Sequence, residues 1–537
     1  MMGARGVMKG AQRVAESLGR LGAEVVFSVS GFQILSLFDV LPEVKVRLVH
    51  ARHENAAVYM AEAWGQLRSQ PGICLLSAGP GVTSAITAVA NAQASESPVL
   101  LLSGASPTSQ RGLGAFQEMD QVRLIGPFCK AAWSVDTPHG LGPAIEKAWH
   151  LALSAVPGPV YLSLPVDVLE ANEESEPWVP CPLEPTAGIW EIRRASPADV
   201  QRIAELLARA NRPAVVVRPA LRRGRSSTFL GRLGLRVATL VAESPRGLRD
   251  PLWGEQRDSL KEADVVLLLG PQDFAVGFGP PGGKGCVVLQ VTSSPTESCE
   301  AAPGGRGKCT AELRIEADEA QFLADLLPVL ESVMPERAPV AVTPPRCPED
   351  GGRLHPLAIA EEVRQVLQPE DLLIVDGGEF GQWMRAGFRD LPNQQLVNGK
   401  LGALGNSIPH AVGAALASPG RRVFAFLGDG TFSYHAAELD TAVRERLSLF
   451  VLIGNDSCYG AEWHTQAARY GPARTFATAL ERRRYEFVAE GYGAVGVAAD
   501  SRAELRRLLS TAVRTPLPSV TCINVHIQSV PSPAAGA

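Results

Sequence analysis

Three groups of residues in this chain have types and spacings that could do chemistry. The densest is Gly428-Asp429-Gly430, with Asn455-Asp456-Ser457 following 26 residues after Asp429. One carboxylate, one amide oxygen and a loop carbonyl, here from Asp429, Asn455 and Ser457, are hard oxygen donors suited to Mg²⁺. That ion keeps water and takes phosphate oxygens for its remaining positions. Gly428 and Gly430 let a diphosphate approach the backbone, and the start of the following helix favours negative charge. Alone, a Gly-Asp-Gly is better explained by a tight strand-to-helix turn; the Asn after a second apolar run turns the balance to the metal reading. The second group is Arg52-His53-Glu54-Asn55. Taken by itself, Glu54 is an acid that complements the dipole of a first helical turn. The third is the loop Gly114–Asp120, in which the neutral amide of Gln117 could donate to a developing alkoxide or carboxylate without adding charge. Lys130 could meet an anionic substrate and His464 could act as acid or base, although solvated and structural roles are the ordinary ones for such residues.

The elements that must position these groups are legible as strands and helices in alternation. Val423 to Leu427 reads as a buried strand, Ser433 to Arg446 as a helix, and Leu449 to Ile453 as a second strand. Joined this way they form a right-handed unit with parallel strands. Asp429 and Asn455 then fall together at the carboxyl ends, where such sheets bind ligands. In the first third, strands at Val25–Val29, Leu48–Val49, Ile73–Leu76, Val99–Leu102, Ala131–Val135 and Val160–Leu164 predict a six-stranded parallel sheet. Asn172 to Gly188 is rich in Pro and Glu, without periodicity, and reads as a linker. Ser196-Pro197 opens a helix running to about Ala208. Strands at Val215–Val217, Val237–Leu240, Val265–Leu269 and Val287–Val291 follow, then a helix over Glu319–Ser332 and a second linker, Met334 to Gly352. The expected fold class is α/β, with three doubly wound parallel-sheet domains over residues 1–172, 189–335 and 353–537.

At 537 residues the chain is too long for one core. With 46% hydrophobic and 20% charged residues it has the composition of a globular enzyme. A net charge of −5 makes no electrostatic case for nucleic acid. None of the nine cysteines forms a Cys-x-x-Cys pair, so neither a zinc site nor a disulfide framework is indicated. No stretch approaches the ~20 apolar residues of a membrane span, and the start lacks the apolar core of a signal peptide. A reduced, cytoplasmic location is expected.

The run from Gly428-Asp429-Gly430 to Asn455 resembles the diphosphate-binding motif of thiamine diphosphate enzymes. Arg52 to Ala57, RHENAA, followed by Ser77 to Ile86, SAGPGVTSAI, resembles the pyrimidine-binding domain of the acetolactate synthase-like group of that family. The group also includes oxalyl-CoA decarboxylase and benzaldehyde lyase. The resemblance implies pyrimidine-binding, central and diphosphate-binding domains, in that order. It places the family's glutamate on Glu54, where the carboxyl would hydrogen-bond the pyrimidine nitrogen and promote the imino tautomer that takes the thiazolium proton. Lys400 to Gly405, KLGALG, resembles the segment that supplies an apolar wedge between the cofactor rings, with Leu404 as the wedge. Cofactor contacts are implied at Glu54, Gly79, Gly402, Leu404, Gly428, Asp429, Gly430, Thr431, Asn455, Ser457, Tyr459 and Gly460, and the metal at Asp429, Asn455 and Ser457. Gly114 to Asp120 resembles the acetolactate synthase segment whose Phe and Gln line the active site, which implies Phe116 beside substrate and Gln117 in catalysis. Pro127 to Val135, containing Lys130, is closer in wording to oxalyl-CoA decarboxylases.

The chain departs from the group at Ser30-Gly31-Phe32-Gln33, where acetolactate-forming synthases resemble one another in a Pro-Gly-Gly stretch; a bulky Phe32 should reshape the substrate pocket. Glu379, in Asp376-Gly377-Gly378-Glu379, puts an acid beside the diphosphate and must be protonated or turned away. In the central domain, Arg218-Pro219-Ala220 and Thr292 replace flavin-binding features, so FAD is disfavoured though left open. Arg222, Arg223 and Arg225 read as a solvated basic loop. The resemblance implies thiamine diphosphate and Mg²⁺ as cofactors, decarboxylation of a 2-oxo acid with transfer of the acyl-anion equivalent to a carbonyl acceptor, and a homodimer or homotetramer with active sites between subunits. The alternatives are a 2-hydroxyacyl-CoA lyase or oxalyl-CoA decarboxylase-like enzyme, or a homologue that does no chemistry.

Overall fold

The computed structural model describes residues 7–174, 193–246, 250–254, 256–270, 285–293, 311–337, 343–348, 352–516 and 518–533. Continuous Val, Ile and Leu runs make parallel strands buried on both faces, and helices cover those faces. In the first third, β1 (Val7–Lys9) is followed by β2 (Val25–Ser28), β3 (Arg47–His50), β4 (Gly72–Leu76), β5 (Val99–Ala105), β6 (Ala131–Ser134) and β7 (Pro159–Pro165). The sheet has the order β3-β2-β4-β5-β7-β6, parallel throughout. The residues expected to open the first linker form β8 (Asn172–Glu174) instead, paired antiparallel with β1. The remainder of that linker, and parts of the second, lie outside the described residues.

The middle third carries β9 (Pro213–Val217), β10 (Ala238–Val241), β11 (Val265–Leu269), β12 (Val287–Thr292) and β13 (Leu313–Glu316), in the parallel order β10-β9-β11-β12-β13. Ser196 caps the expected helix there, its side chain accepting from Asp199 N–H. The arginines after β9 are not a solvated loop. Arg223 donates to the carbonyls of Glu96 (2.8 Å) and Ser95 (2.9 Å), Arg222 pairs with Glu243, and buried Arg218 bridges Glu96 (3.0 Å) and Glu319 (2.5 Å). Arg223 and Arg218 fasten the middle third to the first, while Arg222 pairs within the middle third. Only Arg225 stands exposed.

The last third holds β14 (Leu372–Val375), β15 (Gln395–Val397), β16 (Val423–Gly428), β17 (Leu449–Asn455), β18 (Val495–Ala499) and β19 (Val520–His526), ordered β15-β14-β16-β17-β19-β18 and parallel. The helix expected over residues 433–446 starts earlier and is broken. It comprises Asp429–His435 and Glu438–Arg444, separated by a tighter turn in which Leu439 N–H bonds Ala436 O and Asp440 N–H bonds Ala437 O. The outer thirds meet through the helices Glu54–Arg68 and Ser407–Ala417. A Cβ at Gly413 would collide with Met60 O, so glycine is what lets these helices touch. Inside the contact, buried Glu62 accepts from Asn91 Nδ2 (3.0 and 3.2 Å), Ser97 Oγ (3.2 Å) and Gln66 Nε2 (3.2 Å), and faces His410 Nε2 at 3.2 Å.

Candidate cofactor site

In the pairing of β16 with β17, Gly428 lies opposite Gly454, so Asp429 and Asn455 leave neighbouring strands at the same level. Asp429 is 1% exposed, and neither of its carboxylate oxygens has a hydrogen-bond partner. Burial, and secondarily the Asp456 carboxylate, push its carboxyl up to about 8. Burial also raises Asp456, which accepts from Ser529 Oγ (2.9 Å) and Cys458 N–H (3.2 Å). A buried carboxylate with both oxygens orphaned beside a second acid is costly unless a cation joins it.

A chain of hydrogen bonds settles which end of the Asn455 amide is available. Glu486 can only accept, so Asn524 presents Nδ2 to it (2.8 Å) and turns Oδ1 toward Asn455. Asn455 therefore spends Nδ2 on Asn524 Oδ1 (3.1 Å) and Arg483 O (3.3 Å), leaving Oδ1 on the other side. Ser457 Oγ donates to that oxygen at 3.3 Å. Ser457 sits at φ 60°, and its carbonyl already accepts Leu480 N–H at 2.7 Å, using one of the two lone pairs of the expected third ligand. Among the described residues no three His, Cys, Asp or Glu side chains converge on a metal position, so a cation here would draw on amide and carbonyl oxygens.

Asp429 and Asp456 open onto a cleft of about 320 Å³ lined by Gly377 to Phe380, Gly402, Leu404, Gly428 to Thr431, Cys458 to Glu462, and Ser244 to Arg246 of the middle third; Asn455 and Ser457 stand behind its wall. The helices Gly378–Gly387 and Gly460–Tyr470 both begin at it, aiming unpaired N–H groups inward. A Cβ on Gly378 would meet nothing within 4 Å, so its backbone is open to a ligand. Tyr459 closes over Gly430, where a Cβ would lie 2.7 Å from the ring. Glu379 lines the cleft, and its carboxylate accepts Ser532 N–H at 2.6 Å. Ser532 Oγ also donates to Gln382 (3.0 Å), and Trp383 Nε1 donates to Val530 O (3.3 Å), so the segment 529–532 crosses the cleft mouth. His464 lies on the Gly460–Tyr470 helix, 3.4 Å from the same Ser529 hydroxyl that donates to Asp456.

The other expected residues gather at the carboxyl edge of the first sheet. Gln33 joins Ser77 (2.7 Å) to Gln117 (2.9 Å), and Gly79 N–H donates to Gln121 Oε1 at 2.7 Å. Gln117 is held at φ 58° against Gly79, where a Cβ would come within 3.0 Å. Glu54 opens the Glu54–Arg68 helix at this edge, and Phe32 (67% exposed) and Phe116 (72% exposed) stand out from it. None of these residues lines the cleft at Asp429.

Lys130 corrects the expected substrate contact. It precedes β6, at the amino end of the sheet, and its ammonium donates to Leu151 O (2.6 Å), Ser154 O (2.6 Å) and Ser154 Oγ (3.2 Å). It caps the end of the Pro138–Leu153 helix, where burial pulls it down to about 7. Asp456 and Asp376 were not singled out in advance. Asp456 was adjacent to Asn455 and equally placed at a strand end, whereas the role of Asp376 depends on a loop that returns from residue 405.

The Thiamine pyrophosphate enzyme, N-terminal TPP binding domain, matches residues 8–124, and its C-terminal TPP binding domain matches residues 376–524. The chain belongs to the thiamine diphosphate enzymes, and it is an enzyme of the kind that makes or cleaves C–C bonds. It is 30% identical over 552 residues to "Acetolactate synthase large subunit IlvG" of Mycobacterium tuberculosis, covering 98% of this chain and 97% of the relative. It is 30% identical over 562 residues to "2-hydroxyacyl-CoA lyase 2" of Danio rerio (94% and 89%) and 31% identical over 553 residues to that of Homo sapiens (91% and 85%). No described helix is long and apolar enough to cross a membrane.

Proposed function

We propose that this enzyme decarboxylates a 2-oxo acid and passes the acyl group to a carbonyl acceptor, using thiamine diphosphate and Mg²⁺. The observation that carries the reading is the buried, unpartnered carboxylate of Asp429 at the end of β16, level with Asn455 at the end of β17, whose amide oxygen accepts from Ser457 Oγ. Bound in the cleft, thiamine diphosphate would supply a thiazolium carbon that attacks the 2-oxo group and accepts the electrons released as CO₂ leaves. Asp429, Asn455 and the second lone pair of Ser457 O would hold the cation. Gly378, Gly428 and Gly460 would admit phosphate oxygens to the backbone and to two helix starts. Leu404 would keep the rings bent, and Glu54 would hold and move the proton at the pyrimidine nitrogen. Gln117 would orient the acceptor, with Phe32 and Phe116 bounding it. In this reading residues 1–172 bind the pyrimidine, 353–537 bind the diphosphate, and 189–335 lie between.

Because Glu54 is absent from the cleft of its own chain, a second copy must bring it there. Exposed Phe32, Leu113, Phe116 and Met119 beside Gln117 give that copy an apolar surface to cover. A second substrate reading, cleavage of a 2-hydroxyacyl-CoA, is supported by the equal identity to lyases of that name and by Phe32 where synthases have glycine. Product analysis separates them. Pyruvate, alone and with an aldehyde, should give acetolactate or a mixed acyloin; no turnover, together with release of an aldehyde from a 2-hydroxyacyl-CoA, would replace the first reading with the second.

A further inference from the structure

We propose that His435 is a positioning residue that sets the height of Leu404 in the cleft by holding the Gly405 carbonyl, on one side of the backbone turn whose other side Asp376 holds. The proposal rests on the cofactor reading above and adds a residue to it. Gly405 is at φ 78°, at the end of the loop that projects Leu404. Both of its polar atoms are held. Its N–H donates to Asp376 Oδ1 at 3.0 Å, and its carbonyl lies 2.7 Å from His435 Nδ1. A carbonyl only accepts, so Nδ1 carries the proton. Burial keeps the ring's pKa down at about 4, so near neutrality the imidazole has one proton and spends it on Gly405.

Neither anchor is free to drift. Asp376 is 2% exposed and also accepts from Gly377 N–H (2.7 Å) and Ser407 Oγ (3.0 Å). The His435 ring is packed edge-on by Tyr59 and His53, each with centroids 5.9 Å away, from the helix that begins at Glu54. On its other side, Leu404 Cδ2 lies 2.6 Å from where a Cβ on Gly377 would stand, so the side chain is seated against the diphosphate loop. The Leu404–Gly405 peptide is pinned through its N–H and the Gly405–Asn406 peptide through its carbonyl, so the two planes that flank Gly405 are both held and the turn that carries Leu404 is restricted in how far it can rise or sink. His435 also ends the short helix that Asp429 begins, so one element carries both the metal carboxylate and the wedge support.

The test is a double-mutant cycle read by hydrogen exchange at the C2 carbon of bound thiamine diphosphate, with cofactor affinity followed separately by the fluorescence of Trp383 in the cleft. His435→Phe keeps the ring and its packing but removes the donor. It should leave affinity within about 3-fold and slow exchange roughly 10- to 100-fold, the effect of an ångström of misplacement. His435→Asn, with an amide N–H, should recover part of the loss. In a Leu404→Ala background, already slow, His435→Phe should add less than about 2-fold. Unchanged exchange in His435→Phe, or a full additional loss in the Leu404→Ala background, overturns the proposal. Nitrogen NMR of the wild-type ring requires no variant: the Nδ1–H tautomer is expected, and the Nε2–H tautomer overturns the clamp. A wild-type chain that bound no thiamine diphosphate would overturn the cofactor reading itself.

Discussion

Asp429 shows how a group built for a ligand weakens the protein that carries it. With its carboxyl raised from 3.8 to about 8, the folded chain binds more protons than the unfolded one between those values. Stability of the cofactor-free protein should therefore fall as pH rises from about 4 to about 8. Asp429→Asn should flatten that slope in thermal melts and raise the melting temperature at pH 8. The same change should weaken Mg²⁺-dependent cofactor binding by at least about 100-fold, as loss of a charged ligand does. A variant that gained stability and kept affinity would show that the carboxylate is not the metal ligand. Lys130 makes the converse point about reading residues singly. A lysine near a loop end looks available, but its three partners are helix-terminal oxygens contributed by folding, and nothing in residue type marks them in advance.

At the scale of elements, the strands that bear the site were legible because they are buried on both faces and their polar ends interrupt apolar runs. β16 and β17 are of this kind, and so are β2, β4, β5 and β7 of the first sheet, whereas its edge strands β3 and β6 are partly exposed. The elements that escaped are short or at the sheet edge: β13, β15 and β18 have 4, 3 and 5 residues, and β13 and β18 are partly exposed, so no continuous apolar run announces them. The helix over 433–446 was misplaced because its apolar face continues across the turn at Ala436-Ala437, while the break is set by contacts outside it. Glu438 accepts Arg52 N–H at 3.0 Å and His435 reaches Gly405. The close approach of the Glu54–Arg68 and Ser407–Ala417 helices belongs to this scale too. Gly413→Ala would push a methyl into Met60 O and should destabilise the chain by about 1–3 kcal/mol in denaturant unfolding. It should also slow C2 hydrogen exchange, because the shifted helix follows directly on the Leu404 loop; a variant destabilised without that effect would separate packing from the site.

At the scale of the whole molecule, the division of labour between the two sheet edges is the decisive feature. Glu54 does not line the cleft at Asp429, and if a second copy supplies it, as proposed, chains defective in each should complement. Mixing Glu54→Gln chains with Asp429→Ala chains, after dissociation and reassembly, should restore up to about a quarter of wild-type activity. Random pairing makes half the dimers mixed, and each mixed dimer has one complete site of two. No recovery in demonstrably mixed dimers would mean that Glu54 and Asp429 serve the same chain's chemistry. Residue types alone do not say whether Glu54 and Gln117 share a pocket with Asp429, since all occur in one sequence; the family resemblance implied sites between subunits, and a cleft lining that lacks Glu54 and Gln117 supports that reading.

The exposed apolar surface around Phe32 and Phe116 also bears on how turnover should depend on protein concentration. If each working centre is assembled from two polypeptides, specific activity should fall on dilution below the dissociation constant, with a lag on reconcentration, while each separate chain remains folded. A substitution at Phe32 or Phe116 that weakens association would then look like a poor catalyst in a dilute assay and a normal one in a concentrated assay.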